Sequence, residues 1–198
     1  MLQKPEDATE FGRKILAESR RLLTLIEDII RLSRLDEGVR GEVTPVDLTA
    51  LIQHCVQKLT PAAQNAQVSI SASGNDPVLI SGDHALLEEM LTNLLENGIK
   101  YNHAGGYVRA RAEMADGRAV VTVADNGVGI APEDQQRVFE RFYRVDKSRS
   151  KQTGGTGLGL SIVKHGAQVH HAQIAMQSAL GEGTTITLTF PAQSSGKK

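Results

Sequence analysis

Two asparagines and a lysine in one short stretch are the side chains whose types and spacing most clearly suggest chemistry. Asn93 and Asn97 lie four residues apart, and Lys100 follows three residues later. If the stretch is helical, the three side chains form one row, while the leucines between them face a core. Such a row is either a solvated polar surface or a surface that binds a polar ligand. Two glycine-rich segments further along the chain favour binding.

The first glycine-rich segment follows a predicted strand and begins at Asp125. Gly127 and Gly129 are separated by one residue, and glycines after a strand let the backbone approach a ligand closely. A carboxylate at the strand end could accept a hydrogen bond from an exocyclic amine such as that of adenine. By itself, the same pattern is also found in ordinary turns.

The second glycine-rich segment, residues 154–160, opens a predicted helix. Backbone N–H groups and the dipole of such a helix form an anion site. The segment is neither a Walker A loop, because it lacks G-K-[ST], nor a Rossmann fingerprint, because the strand–turn–helix context differs. Before it, an aromatic run at residues 138–146 leads into a basic run at residues 147–153. The basic run predicts either a solvated loop or a lid whose arginines neutralise phosphate charge.

The elements that must position these residues predict a helical layer on a mixed, largely antiparallel sheet, an α/β sandwich. Asp47 and Asp83 are predicted helix N-caps, and Pro132 predicts the start of a further helix. Strands are predicted at residues 42–46, 68–72, 78–80, 107–114, 119–124, 173–177 and 184–190, and helices at residues 48 to about 59, after Asp83, and through residues 161–164.

The N-terminal part of the chain, residues 8–35, predicts one long helix with a heptad-like apolar seam. The stripe is broad enough to need several neighbours, as in a helical bundle. It indicates dimerisation or half of a helical hairpin; the alternative is a helix folded onto its own domain. The seam consists of Phe11, Ile15, Leu22, Leu25, Ile29 and Leu32.

The composition is that of an ordinary soluble globular protein. The 198 residues are 40% hydrophobic and 23% charged, with a formal net charge of -1, which gives no reason to expect nucleic-acid binding. The single cysteine, Cys55, cannot form an internal disulfide, which suits a reducing compartment. No apolar run approaches the ~20 residues that a bilayer span needs.

Five motifs in order resemble the N, G1, F, G2 and G3 boxes of the catalytic ATP-binding domain of two-component sensor histidine kinases. They are N-x-x-x-N-x-x-K-Y, D-N-G-x-G-I, F-x-R-F-Y-R, G-T-G-L-G-L and G-x-G-T. The resemblance covers essentially the whole chain, and among these kinases the phosphate-regulon and cell-wall sensors are the most similar. It implies a two-layer α/β sandwich of the Bergerat (GHKL) type, with helices on one face of the sheet and one long helix in front.

The resemblance also implies two domains and a set of roles. Residues 1–38 would be the second helix of a dimerisation and phosphoacceptor hairpin, and residues 39–198 the ATP-binding kinase domain. Asn97 would ligate Mg²⁺, Asp125 would accept from the adenine amino group, and Arg144, with Arg141 less directly, would reach the γ-phosphate. Arg144 is the one candidate catalytic residue. The implied ATP-binding residues are Asn93, Asn97, Lys100, Tyr101, Asp125, Gly127, Gly129, Ile130, Arg144, Gly155, Thr156, Gly157, Leu158 and Gly159.

The position of Asn93 distinguishes among relatives. ATPases of the gyrase and Hsp90 types carry at this position a glutamate that activates water, and an amide cannot accept a proton as a general base. The resemblance therefore implies slow hydrolysis and a protein acceptor. Two smaller departures are Gly98, where alanine is usual, and Asn102, where threonine or serine is common.

No histidine of the chain has the acidic neighbour that the family's phosphoacceptor requires. The acceptor helix, and any sensor or membrane segment, are therefore expected upstream. His54, His84, His103, His165, His170 and His171 are followed by Cys, Ala, Ala, Gly, His and Ala.

The implied cofactors are ATP and Mg²⁺. The implied partners are the kinase's own acceptor hairpin in a homodimer and a response regulator, with no nucleic acid, in the cytoplasmic part of a membrane-anchored parent. Two alternatives remain open: a GHKL ATPase or serine kinase, and a nucleotide-binding interaction module without catalysis.

Overall fold

The computed structural model describes residues 41–145 and 156–192, together with positions 11–13, 15–16, 18–19, 22–23, 26 and 30 near the N-terminus. The part from residue 41 onward forms the two-layer α/β sandwich that the sequence predicts. Five strands form a sheet in the order β2-β4-β5-β7-β6, and β1 and β3 form a separate two-stranded sheet. The strands are β1 (Val43–Asp47), β2 (Ser69–Ser73), β3 (Leu79–Asp83), β4 (Tyr107–Ala115), β5 (Arg118–Asp125), β6 (Gln173–Ala179) and β7 (Gly183–Thr189).

The large sheet is mostly antiparallel, as predicted. Only its β2–β4 pair runs parallel, while β4–β5, β5–β7 and β6–β7 are antiparallel. The sequence did not reveal that β2 and β3 separate into different sheets, because both strands are short and nothing in their alternation identifies a partner. The register of β5 against β7 pairs Asp125 with Thr184, which places the β5 end beside the β6–β7 turn.

Three helices form the second layer: α1 (Leu48–Asn65), α2 (His84–Lys100) and α3 (Gly159–Val169). Both predicted N-caps are confirmed. The Asp47 carboxylate accepts from the Thr49 backbone N–H at 2.9 Å, and that of Asp83 accepts from the Leu86 N–H at 3.1 Å. These bonds satisfy N–H groups that the first helical turn leaves without a partner.

One apolar core lies between the helices and one face of the large sheet. Alternate residues of β4 and β5, such as Val108 and Val121, are fully buried, whereas Arg109 and Arg111 on the other face of β4 are exposed. This period of two is what a sheet covered on one face requires. The helices contribute to this core large side chains that are almost completely buried, namely Leu48, Ile52, Leu87, Met90, Leu91, Leu95 and Val163.

Helix α1 is longer than predicted. It continues through Pro61 to Asn65 instead of ending near Leu59. Cys55, Leu59 and Ala63, spaced by four residues, are all buried, so the apolar stripe continues past the proline. Packing of this stripe outweighs the cost of the backbone hydrogen bond that a proline inside a helix removes.

The prediction that a helix begins at Pro132 is wrong. Residues 132–136 form turns, followed by a short 3₁₀ helix at Arg137–Phe139. The Gln135 side-chain amide donates to the backbone carbonyls of Ile130 at 3.1 Å and Ser178 at 2.8 Å. These bonds tie the segment to the edge of the sheet, and such turn geometry replaces a regular helix.

The described positions of the N-terminal segment are helical, and their apolar side chains are exposed by about half. Leu25, Ile29 and Leu32 of the predicted seam lie outside the described residues. In the described parts of the chain, no helix is both long and apolar enough to cross a membrane. The exposed apolar side chains are Phe11, Ile15, Leu16, Leu22, Leu23, Ile26 and Ile30.

Candidate functional site

The polar row of the sequence lies along the rim of helix α2. Asn93, Asn97 and Lys100 are half-buried, whereas Leu94 and Leu95 between them are buried in the core. The helix therefore presents two amides and an ammonium group on a side that the core does not use. This is the arrangement that the three- and four-residue spacing predicts.

Asn93 is where helix α2 meets the start of helix α3. Its side-chain Nδ2 donates to the Glu89 carbonyl one turn earlier, at 2.9 Å. A Cβ added to Gly159, the first residue of α3, would lie 2.6 Å from Asn93 Oδ1. An alanine at this position would displace the Asn93 amide, and the structure thus brings together two motifs that lie more than sixty residues apart in the sequence.

Among the residues that the structure describes, no side chain caps the N-terminus of α3. Its N-cap residue is Leu158, whose side chain is fully buried and packs with Ile162. Helices α1 and α2 each use an aspartate at the same place. The uncapped first turn leaves backbone N–H groups and the positive end of the helix dipole available to an anion.

The segment before α3 is held by the aromatic motif. The Phe142 backbone N–H donates to the Gly157 carbonyl at 2.9 Å, and Gly157 has a φ of 76°. A Cβ on Gly157 would lie 2.9 Å from the Phe142 carbonyl carbon. Thr156 is half-buried, and Gly155 lies outside the described residues.

The charge of Lys100 is affected by burial and by a second cation, Arg144. Burial and, to a smaller extent, the nearby Arg144 guanidinium lower the pKa of Lys100 to about 8, against a smaller opposing effect of Glu96. The Lys100 Nζ also lies 5.3 Å from the centre of the Tyr101 ring. Burial and the guanidinium both disfavour the charged form of Lys100, and a bound anion would favour it. Arg141, by contrast, is exposed.

Asp125 ends strand β5 with a half-buried carboxylate. Its Oδ1 accepts from the Gly127 N–H at 2.8 Å. Burial raises the pKa of Asp125, and hydrogen bonds from the Gly127 and Thr184 backbones oppose this increase. The carboxylate is thus oriented by its own loop, as a specific acceptor must be.

The glycines after Asp125 approach the protein's own backbone. A Cβ on Gly127 would lie 2.3 Å from the Tyr101 carbonyl oxygen, and one on Gly129 would lie 1.9 Å from that of Ala179. Gly129 also has a φ of 68°. The loop itself therefore explains both glycines, and their contact with a ligand stays a prediction.

Two asparagines that sequence reasoning did not single out as site residues hold the loop in place. The Asn126 side-chain Oδ1 accepts from the Tyr107 backbone N–H at 2.6 Å. Asn102, noted only as a departure from the family pattern, donates to the carbonyls of Gly98 at 3.1 Å and Tyr107 at 3.0 Å. No local signal could have identified the two bonds to Tyr107, because they depend on where β4 begins relative to the end of α2.

Close packing of α2 against β4 explains why residue 98 is a glycine. A Cβ at this buried position would lie 3.0 Å from both methyl groups of Val108 and 3.5 Å from Asp125 Cβ. The glycine lets α2 approach β4 and the Asp125 end of β5 closely. The alanine expected from the resemblance would require Val108 to shift.

Ile130 lies at the far side of the loop. Its backbone N–H donates to Ser178 Oγ at 2.8 Å, and Ser178 donates to the Gly183 carbonyl at 2.8 Å. Nearby, the Tyr143 hydroxyl donates to Asp134 Oδ1 at 2.5 Å. These bonds fix the residues that precede the basic run. The basic run itself, residues 147–153, lies outside the described residues.

Known proteins similar to this chain are sensor histidine kinases. The chain is 42% identical over 188 residues to the sensor-like histidine kinase SenX3 of Mycolicibacterium smegmatis, over 94% of this chain and 49% of SenX3. It is 37% identical over 176 residues to the sensor histidine kinase RppB of Synechocystis, over 88% of this chain and 39% of RppB. The chain thus spans about half the length, or less, of these curated relatives.

Solved structures agree in fold. The crystal structure of full-length ShkA in complex with AMPPNP matches with a TM-score of 0.78 and 28% identity, over 96% of this chain and 40% of that chain. The catalytic domain of histidine kinase ThkA matches with a TM-score of 0.66 and 22% identity, over 76% of this chain and 96% of that chain. The second likeness concerns the fold alone.

The architecture and the site define an ATP-binding α/β sandwich of the kind found in histidine kinase catalytic domains. The family described as histidine kinase-, DNA gyrase B-, and HSP90-like ATPase matches residues 82–194, which contain the polar row and both glycine-rich segments. The chain belongs to this family.

Proposed function

We propose that this chain binds Mg-ATP and transfers the γ-phosphoryl group to a histidine of a dimerisation hairpin in a two-component sensor kinase. The observation that carries the proposal is the series of contacts and charges around the N-terminus of α3. The Phe142 N–H donates to the Gly157 carbonyl, Gly159 lies against Asn93, and Lys100, on the same helix as Asn93, is influenced by the charge of Arg144. Two cations and an uncapped helix N-terminus within this series suit a triphosphate.

Asp125 supplies the specificity for the base. Its half-buried carboxylate lies at the end of β5, close to α2 at Gly98, where an added Cβ would lie 3.5 Å from the Asp125 Cβ. A carboxylate accepts but does not donate while ionised, so it selects a base with an exocyclic amine, as adenine has. In this proposal Tyr101 and Ile130 also contact the nucleotide.

Asn97 is the residue that we propose as the Mg²⁺ ligand. Mg²⁺ prefers oxygen donors, keeps several waters and is usually bound through few protein ligands together with substrate phosphates. Among the described residues, no group of three or more His, Cys, Asp or Glu side chains could hold a metal ion. The half-buried Asn97 amide fits this sparse set of donors, and the bound metal would neutralise phosphate charge.

Asn93 determines the reaction that follows binding. Its amide is bonded to the Glu89 carbonyl and borders the helix from which the phosphates would be bound. An amide cannot remove a proton from water, so this position gives no general base for hydrolysis. Phosphoryl transfer depends mainly on positioning and on charge neutralisation, in which Arg144 takes part.

Residues 1–38 are, in this proposal, the second helix of the dimerisation hairpin, and residues 39–198 are the kinase domain. The exposed apolar side chains of the N-terminal segment support a helical partner. The partners would be the acceptor hairpin of a homodimer and a response regulator. The parent would be a membrane-anchored sensor with this part in the cytoplasm, as the sensor kinase relatives suggest.

The test is transfer in trans. The chain is mixed with a separately produced acceptor hairpin from a sensor kinase relative and with γ-labelled Mg-ATP. We expect labelled phosphohistidine on the hairpin, and none with Asn97→Ala, which removes the metal ligand. ATP hydrolysis without the hairpin should be slow. Binding of Mg-AMPPNP without transfer to a competent hairpin, or fast hydrolysis by the chain alone, would contradict the kinase proposal.

A further inference from the structure

His170, at the C-terminal end of helix α3, makes two hydrogen bonds that determine which ring nitrogen carries the proton. Its Nδ1 lies 2.7 Å from the Gly166 carbonyl, and its Nε2 lies 3.0 Å from the Asp83 backbone nitrogen. A backbone N–H can only donate, so Nε2 must be the acceptor. Nδ1 therefore carries the proton and donates to Gly166. The side chain is buried, and its ring meets Phe190 edge to face, with ring centres 6.3 Å apart.

These two bonds join different elements. Gly166 belongs to α3, whereas Asp83 is the N-cap of α2. The ring also lies tightly against the end of β3, because a Cβ on Gly82 would be 2.9 Å from its Cδ2 and Nε2. The imidazole is thus a bridge between the end of one helix and the start of the other.

The same two helices touch at two further points towards the nucleotide site. A Cβ on Gly166 would lie 2.3 Å from Met90 Sδ, and one on Gly159 would lie 2.6 Å from Asn93 Oδ1. Contacts through glycine bring helices close but do not fix how far one is displaced along the other. A hydrogen bond is directional, so the His170 bond to Asp83 can fix that displacement.

We propose that His170 is a positioning residue for the nucleotide site. By its bond to the Asp83 N–H it sets the position of α3 along α2, and so holds Gly159 against Asn93. Helix α3 has 11 residues, so the bridge acts over about 16 Å. The inference rests on the proposed ATP binding, because the N-terminus of α3 is the part of the phosphate site that moves with this helix.

Two substitutions separate the two bonds of the ring. In His170→Gln, the amide oxygen reaches the place of Nε2 and can accept from Asp83, while the bond to Gly166 is lost. In His170→Asn, the amide nitrogen takes the place of Nδ1 and can donate to Gly166, as Asn93 does to Glu89, while the bond to Asp83 is lost. Neither variant keeps the ring that packs on Phe190.

The measurement is the dissociation constant of Mg-AMPPNP for the full chain, with urea unfolding of each variant. We expect His170→Asn to weaken binding about tenfold or more, as small misplacements remote from the chemistry do, and His170→Gln to stay within about threefold of the wild type. His165→Gln, on the same helix, serves as the matched control and should leave binding unchanged.

Equal weakening in the Asn and Gln variants would mean that the ring only fills space, and it would overturn the proposal, as would unchanged binding in both. If either variant fails to fold, the unfolding curve identifies it, and the proposal is then decided by Gly82→Ala in a Leu87→Val background. Leu87→Val removes the Leu87 Cδ1 atom that the new Cβ would also meet at 2.8 Å, so the double variant should bind more weakly than Leu87→Val alone, and equal binding would overturn the proposal. A wild-type chain that does not bind Mg-AMPPNP would instead contradict the proposed function.

Discussion

Asp125 shows how one side chain serves both the loop and the proposed ligand. Its carboxylate accepts the Gly127 N–H and lies against the Thr184 backbone, and burial raises its pKa. The backbone bonds keep the group oriented even when nothing else is bound. At the scale of single residues, then, the proposed recognition of a base rests on a carboxylate that the protein itself orients.

Replacing Asp125 by asparagine should weaken binding of adenine nucleotides. The amide oxygen can still accept from Gly127, so the loop persists, but the amide nitrogen then replaces the second carboxylate oxygen and cannot accept from the amine of the base. Hydrogen bonds to charged groups contribute about 1.5–3 kcal/mol, so we expect about 10- to 100-fold weaker binding of Mg-AMPPNP by calorimetric titration. Asp116→Asn, in the β4–β5 turn, is the control. Unchanged affinity in Asp125→Asn would exclude the carboxylate from base recognition.

Lys100 predicts a pH dependence of nucleotide binding. Its pKa of about 8 in the free protein means that the ammonium loses its proton as the pH rises through that value. Bound phosphate favours the charged form and raises the pKa, so binding near pH 8 should take up protons, and the affinity should fall above pH 8. Titration calorimetry in two buffers with different ionisation enthalpies measures this uptake.

The matched variant for that experiment is Lys100→Arg. Arginine keeps its charge throughout this pH range, so its complex should take up no protons near pH 8, and its affinity should decline less with pH. Equal proton uptake in both proteins would assign the effect to another group.

At the scale of elements, the loop after β5 and the turn between β6 and β7 form one unit. Gly129 lies against the Ala179 carbonyl, Val128 accepts from the Gly181 N–H at 2.9 Å, and Ser178 accepts from the Ile130 N–H at 2.8 Å. The glycine-rich loop is therefore held in place by a turn that lies about fifty residues later in the sequence.

Gly129→Ala should disrupt this unit much more than Gly181→Ala. Both glycines have a positive φ, of 68° and 79°, but nothing lies within 4 Å of a Cβ on Gly181. We expect about 1–2 kcal/mol of destabilisation for Gly181→Ala from backbone strain alone. For Gly129→Ala we expect at least about 4 kcal/mol, because the Ala179 carbonyl must move. Urea unfolding of both variants measures the difference; equal values would mean that the Ala179 contact costs nothing.

The elements that were predicted correctly are those with a local cause. Asp47 and Asp83 were predicted as N-caps because capping depends on residues within one helical turn. The helix at Pro132 was predicted wrongly because Gln135 bonds to carbonyls of Ile130 and Ser178, one of them 43 residues away. The extension of α1 past Pro61 likewise depends on packing that no local rule contains.

In the site, too, features with a local cause were predicted and features that depend on distant contacts were not. Sequence spacing predicted the row of Asn93, Asn97 and Lys100, because a helix determines which side chains share a face. It could not predict that Asn93 touches Gly159 or that Arg144 lies near enough to lower the pKa of Lys100. These relations depend on the tertiary packing, and the resemblance to sensor kinases supplied the expected roles without supplying them.

At the scale of the whole molecule, the apolar core and the site belong to one part of the chain. The buried residues of the core cluster run from Val46 to Phe190, and the described apolar side chains between Phe11 and Ile30 remain about half exposed. Folding of the sandwich and binding of the nucleotide should therefore not depend on the N-terminal helical segment, whose apolar face would serve contacts with another helix.

Removing residues 1–38 tests this division directly. We expect the remaining chain to unfold cooperatively with a free energy within about 0.5 kcal/mol of that of the full chain, because the deletion removes no buried contact among the described residues. The dissociation constant of Mg-AMPPNP should also be unchanged. Deletion of residues 1–42, which also removes the Gly41 N–H donor to the Asp83 carboxylate at 3.0 Å, should lower the stability further by about 1 kcal/mol. A shorter chain that lost nucleotide binding would mean that the N-terminal segment is part of the kinase domain.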